Sequence, residues 1–145
     1  MSDAIHWQPT DLPRLLGIGT LPHSRCGGLG LVPGRSSWNA FHCNINGTLL
    51  LEVADALQSS GMLAAGYGSV NIDDCWPLRQ RDAAGNIVPD PEKFPAGMRG
   101  FSQALRSKGI GLGIYTAHGN LTCQKFPGSF GHEKQDAALC AAMLP

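Results

Sequence analysis

Neither sign of charge is in surplus in this chain. Eleven basic residues face eleven acidic ones, for a formal net charge of +0, and no run of Lys and Arg stands out. A nucleic-acid partner is therefore not expected, because it would need a cationic footprint. Long apolar runs are missing as well. No stretch approaches the ~20 residues that carry a helix across a bilayer, so no membrane association is expected. The apolar segment Leu15 to Leu21 is broken by Gly17 and Gly19 and follows no basic cluster, so the start of the chain does not read as a clear signal peptide. Cys-x-x-Cys spacing is absent among Cys26, Cys43, Cys75, Cys123 and Cys140. That argues against a structural zinc site, and neither a metal nor a cofactor is expected. Phosphate-binding loops are missing too. Gly30 to Ser36 is one residue short of that pattern and has Arg35 in place of lysine, and Gly109 to Gly113 opens a strand after a helix, the wrong setting for a dinucleotide fingerprint.

What remains is globular. Hydrophobic residues make up 43% and charged residues 15%, enough to build a packed core. The 145 residues have room for one domain, at about 100 to 200 residues each. Residues 1–30 read as an irregular, Pro- and Gly-rich leader. From there the pattern alternates β and α. A strand is expected near Ser36 to Phe41 and a helix over about Thr48 to Ser60, where Leu50, Val53, Ala54 and Leu57 recur at helical spacing before Gly61. Tyr67 to Asp73 reads as the second strand. A long loop, Trp76 to Phe94, carries the turn signal Asp82 to Asn86. The second helix is expected from Pro95 to about Lys108, burying Met98, Phe101 and Leu105 and stopping at Gly109. Ile110 to Thr116 is the third strand, Ala117 to Gly131 a second long loop, and His132 to Leu144 a third helix. Alternation of this kind implies parallel strands with right-handed crossovers. A (β/α)₈ barrel and an open doubly wound sheet both fit, and both place sites where strands end.

Asn71-Ile72-Asp73-Asp74-Cys75-Trp76 is where chemistry is expected. An apolar run ends there in two carboxylates, a thiol and an indole. Carboxylates accept from hydroxyls, and an aromatic ring covers the C–H face of a sugar, so the cluster suits a polyhydroxylated ligand. The same pair also reads as a solvated turn or a helix N-cap. Regular β geometry would point Asp73 and Asp74 to opposite faces, so one shared pocket requires a departure at the strand end. Two sequons, Asn46-Gly47-Thr48 and Asn120-Leu121-Thr122, fit the N-glycosylation pattern that a secretory compartment reads, a pattern that also arises often by chance.

Several separated blocks, in order, resemble the melibiase-type α-galactosidases, retaining glycoside hydrolases related to α-N-acetylgalactosaminidases. They are Trp38 to Cys43, Tyr67 to Trp76, Gly113-Ile114-Tyr115 and Pro127-Gly128-Ser129 with His132-Glu133 and Gln135-Asp136. Arg81-Asp82, Gly85-Asn86, Phe94-Pro95 and Gly97 extend the likeness over about Gly34 to Ala137. The resemblance implies an α/β fold: the first three βα units of a TIM (β/α)₈ barrel, with residues 31–145 forming a truncated part of the catalytic-barrel domain. It implies hydrolysis of terminal α-linked galactose with retention, α-galactoside sugars as partners, and a secreted, lysosomal or vacuolar location.

By the same resemblance, Asp73 and Asp74 match acids that bind galactose hydroxyls and Trp38 matches the tryptophan lining the pocket. Tyr115 and Cys123 match positions near it, and Cys43 and Cys75 match a family disulfide. Cys123 matches one half of a second disulfide whose partner lies downstream. On residue type alone, Trp38 and Tyr115 read equally as core aromatics and Cys123 as an inert thiol. The family's nucleophile and acid/base aspartates belong to the fourth and a later strand, so no catalytic residue is assigned here. The chain departs from the family pattern at Arg35, where an aromatic core residue is usual, and at Thr116-Ala117-His118, where a pocket-side acid is usual. An open three-stranded parallel sheet would expose an unpaired edge and bare apolar faces.

Overall fold

A computed structural model describes residues 34–144. The expected leader and Cys26 lie outside the described residues. Three parallel strands form one sheet in the order β1-β2-β3: β1 Gly34–Ser36, β2 Ser69–Ile72 and β3 Gly111–Ile114. Gly34, Ser69 and Gly111 lie in register, as do Ser36, Asn71 and Gly113. A helical turn, α1 (Trp38–Phe41), follows β1, and then come α2 (Gly47–Ser59), α3 (Gly97–Ser107) after β2, and α4 (Glu133–Met143) after β3.

Helices α2 and α3 form close to where expected, for the expected reason. Leu50, Ala54 and Leu57 of α2, and Met98, Phe101 and Leu105 of α3, are buried against Val70, Ile72 and Ile114. The Asn46 side chain accepts from Leu49 N at 2.9 Å and caps α2. At the end of α3, Gly109 N donates to Arg106 O and Ile110 N to Leu105 O, a pair of bonds that requires Gly109 in the left-handed region (φ 73°).

The second and third strands and the last helix are each shorter than expected by one or two residues at either end, and two further boundaries differ for a visible local reason. The first strand stops at Ser36, and Trp38 to Phe41 coil instead. Ser37 N makes the last sheet bond, to Asn71 O, but Ser37 itself is αR, and Phe41 N and His42 N then bond back to Ser37 O and Trp38 O. These two short-range bonds in one turn override the β preference of the two aromatics. The second helix starts at Gly97 rather than Pro95. Phe94 to Gly97 is a turn closed by Gly97 N on Phe94 O at 2.8 Å, with Pro95 as its second residue. Gly97 has φ 66°, which no helix can carry through.

The sheet's two faces are unlike. Val70 and Ile72 point at the helices, while the opposite face carries Gly34, Ser36, Ser69, Asn71, Gly111 and Gly113. The expectation of bare apolar faces is thus corrected: the apolar face is covered by the helices, and the face opposite them is small and polar. It is also tight. A Cβ on Gly34 would fall 1.8 Å from Ser69 Oγ, and one on Gly113 2.2 Å from Asn71 Oδ1. Arg35, in register with Val70, has Nε and Nη2 buried with no hydrogen-bond partner among the described residues, and burial lowers its pKa.

Candidate functional site

All three strands deliver their candidate residues at the same, C-terminal end of the sheet. Trp38 follows β1 by two residues, Asp73 and Asp74 follow β2 directly, and Tyr115 follows β3 directly. Ser37 joins the first two strand ends: its Oγ accepts from Asp73 N at 3.0 Å.

The departure that Asp73 and Asp74 require is present. Asp74 N donates to Asp73 Oδ1 (2.8 Å), Cys75 N donates to Asp74 Oδ1 (2.9 Å), and Cys75 takes φ 73°. Each carboxylate thus curls onto the next residue's N–H, and the backbone leaves the β region. Cys75 is held in that strained region by its disulfide to Cys43 (Cα–Cα 5.2 Å), the pairing the resemblance implies. Lys93 Nζ bonds the carbonyls of both cysteines, at 3.2 Å to Cys43 and 2.7 Å to Cys75.

Asp74 is 2% exposed. Besides Cys75 N, it accepts from Thr122 Oγ1 on Oδ1 (2.8 Å) and from Gln124 N on Oδ2 (2.9 Å). The carboxylate therefore fastens the loop after β3 to the end of β2. An ionised carboxylate offers about four lone-pair directions. Three are filled, and one on Oδ2 is left. Asp73 is only half-buried.

Tyr115 closes the cluster. Its pKa is pushed up to about 12 by burial first, then by the neighbouring Cys123, Asp74 and Asp73. The phenol stays a neutral donor at any ordinary pH. Cys123 is exposed and outside any disulfide. Beneath, buried Trp76 donates Nε1–H to Tyr115 O at 2.9 Å. Asp73, Asp74, Tyr115 and Cys123 are thus brought together. Trp38 stands on the same sheet end, half-buried and edge-on to His42 (5.0 Å, 78°).

Several positioning residues carried no role in the sequence reading. Thr122 was noted only as part of a sequon, yet its hydroxyl holds Asp74. Arg81 donates through Nη1 and Nη2 to both oxygens of Asp136, each at 2.7 Å, and also to Gly85 O and Gly128 O. This clasp locks both long loops to α4. Burial pushes the Asp136 carboxyl up, but hydrogen bonds from Arg81 and Ser129 and the Arg81 charge outweigh it, leaving the group below its usual range. Gln135 adds bonds to Ala84 O and Asn86 Oδ1. Among the described residues no cluster of His, Cys, Asp and Glu is placed to hold a metal ion, and no helix is long and apolar enough to cross a membrane.

The family model described as alpha galactosidase A matches residues 34–143, the whole described sheet and its helices. The chain belongs to the alpha-galactosidase A family. It is 51% identical over 118 residues to alpha-galactosidase 2 of Arabidopsis thaliana, covering 79% of this chain and 30% of that protein. Alpha-galactosidase of Coffea arabica is 48% identical over 118 residues, with 79% and 31% covered. The structure matches alpha-galactosidase I of Mortierella vinacea with a TM-score of 0.76 at 36% identity, over 81% of this chain and 30% of that one. It matches the alpha-galactosidase of Saccharomyces cerevisiae, also solved with raffinose, with a TM-score of 0.76 at 38% identity, over 82% and 26%. These neighbours are TIM-barrel glycoside hydrolases, and the three βα units seen here correspond to the N-terminal part of that barrel. The chain therefore spans about a third of the length of these alpha-galactosidases.

Proposed function

We propose that this chain carries the sugar-gripping part of an alpha-galactosidase barrel and lacks its bond-cleaving part. The reading is carried by one observation: the carboxylates of Asp73 and Asp74, the Tyr115 phenol and the Cys123 thiol converge at one sheet end. A terminal α-linked galactose presents hydroxyls to such a set. Asp73 and the one remaining lone pair of Asp74 accept from them, Tyr115 donates, and Trp38 supplies an apolar ring for the sugar's C–H face. The solved yeast complex with raffinose supports an α-galactoside as the ligand class. A secreted, lysosomal or vacuolar location is part of the same reading.

Retaining glycosidases need two carboxyl groups about 5–5.5 Å apart, one as nucleophile and one as acid/base. Asp74 is engaged by three donors of its own chain and Asp73 receives Asp74 N, so neither is poised for either role. The 145-residue chain is expected to release no chromophore from a chromogenic α-galactoside, and to give a weak, roughly millimolar calorimetric titration with galactose (about 4 kcal/mol). Turnover by the purified chain would overturn the division of labour. Loss of the galactose signal in Asp73→Ala supports the grip, and an unchanged signal removes it.

A further inference from the structure

We infer that Asn46 is an N-glycan attachment site. The sequon Asn46-Gly47-Thr48 fixes the residue types, and the structure adds three observations. First, Asn46 and Thr48 are both exposed, at the start of α2. Second, Asn46 caps that helix through Oδ1 alone, by its 2.9 Å bond from Leu49 N, and Nδ2 makes no hydrogen bond among the described residues. An N-linked glycan is carried on Nδ2 and leaves the amide oxygen in place, so attachment and capping are compatible. Third, the site lies three residues after Cys43, whose disulfide to Cys75 belongs to an oxidising compartment, where sequons meet their transferase.

The modification forms a bond from Asn46 Nδ2 to the anomeric carbon of an oligosaccharide carried on a polyprenyl pyrophosphate. The anomeric C–O bond breaks, the pyrophosphate leaves with the electron pair, and Nδ2 gives up one proton. Gly47 places no side chain beside the acceptor. Its N–H, bonded to Lys93 O at 2.8 Å, keeps the chain entry to α2 fixed in the finished fold.

The test is to secrete the full 145-residue chain from a eukaryotic host behind a cleavable signal and map its peptides by mass. The expected result is a glycan on the Asn46 peptide that is released by peptide N-glycosidase and is absent from Asn46→Asp, which keeps the capping oxygen, and from Thr48→Ala. The Asn120 sequon lies on a different peptide, so its occupancy is read separately. Translation into microsomes gives the same readout without any need for a stable secreted product. An unmodified Asn46 peptide in either system overturns the inference.

Discussion

Two side chains show how single residues are tuned by where they sit. Arg35 occupies a helix-facing position in β1, with two guanidinium nitrogens buried and unbonded among the described residues. A buried donor without an acceptor costs about 1–3 kcal/mol. Arg35→Met keeps the apolar stem and removes the stranded donors, so the variant is expected to be more stable by about 1–3 kcal/mol, read as a higher urea midpoint at unchanged slope. Tyr115 is perturbed in the opposite sense: burial and the surrounding Cys123, Asp74 and Asp73 hold its proton on. Its folded pKa of about 12 lies above the ordinary value of about 10. Stability drawn from the neutral phenol is therefore complete below about pH 10 and fades as pH rises toward the folded value. An ultraviolet absorbance titration should show a late phenolate step near pH 12 that is missing in Tyr115→Phe. A phenol ionising at the ordinary value would refute the placement of Tyr115 against the acids.

At the scale of elements, the Arg81–Asp136 pair sets how α4 meets the two long loops. Asp136 is ionised in the fold with a depressed pKa. Its stabilisation is thus present above the unfolded carboxyl value of about 3.9 and lost as pH falls through the folded one. Asp136→Asn should lower stability by about 3 kcal/mol near neutral pH, because Arg81 is left without its carboxylate. Below about pH 4 the gap to the parent should narrow. Equal sensitivity at both ends of that range would rule the pair out as the cause.

Much of this level was legible in the sequence. The helices followed from apolar spacing and from Gly61 and Gly109, and the parallel run of the strands followed from alternation; their order did not, because a barrel and a doubly wound sheet alternate alike. The first strand's end was not legible, because one turn of local hydrogen bonds at Ser37 to His42 outbid the aromatics. The site was half legible. Asp73 and Asp74 stood out as a charged break in an apolar run, but the hold of Thr122 and Gln124 on Asp74 spans about fifty positions, and no local pattern reports a contact at that distance.

For the whole molecule, the sheet has three strands, and its outer edges at β1 and β3 are unpaired among the described residues. Its face away from the helices is lined with glycine, serine and asparagine rather than with apolar side chains. That face suits a layer that fits closely against small residues, since Gly34 and Gly113 leave no space for a methyl group. The core is carried by one side of the sheet, where Leu50, Leu105, Val70 and Ile72 meet. Stability should therefore be concentrated in the β2–α2–α3 contacts, where the apolar side chains meet.

The guanidinium of Arg81 joins its own loop, at Gly85, to a distant part of the chain, at Gly128 and Asp136. A group shared in this way makes their opening a joint event. Native-state amide exchange should find Gly85 and Asn86 on one side and Gly128 and Ser129 on the other released with one common opening free energy, as a single unit. If Arg81→Ala frees one segment and leaves the other protected, the two move separately. If both lose protection together, the rim of the cluster breathes as one body, and any contact that steadies one side steadies the other.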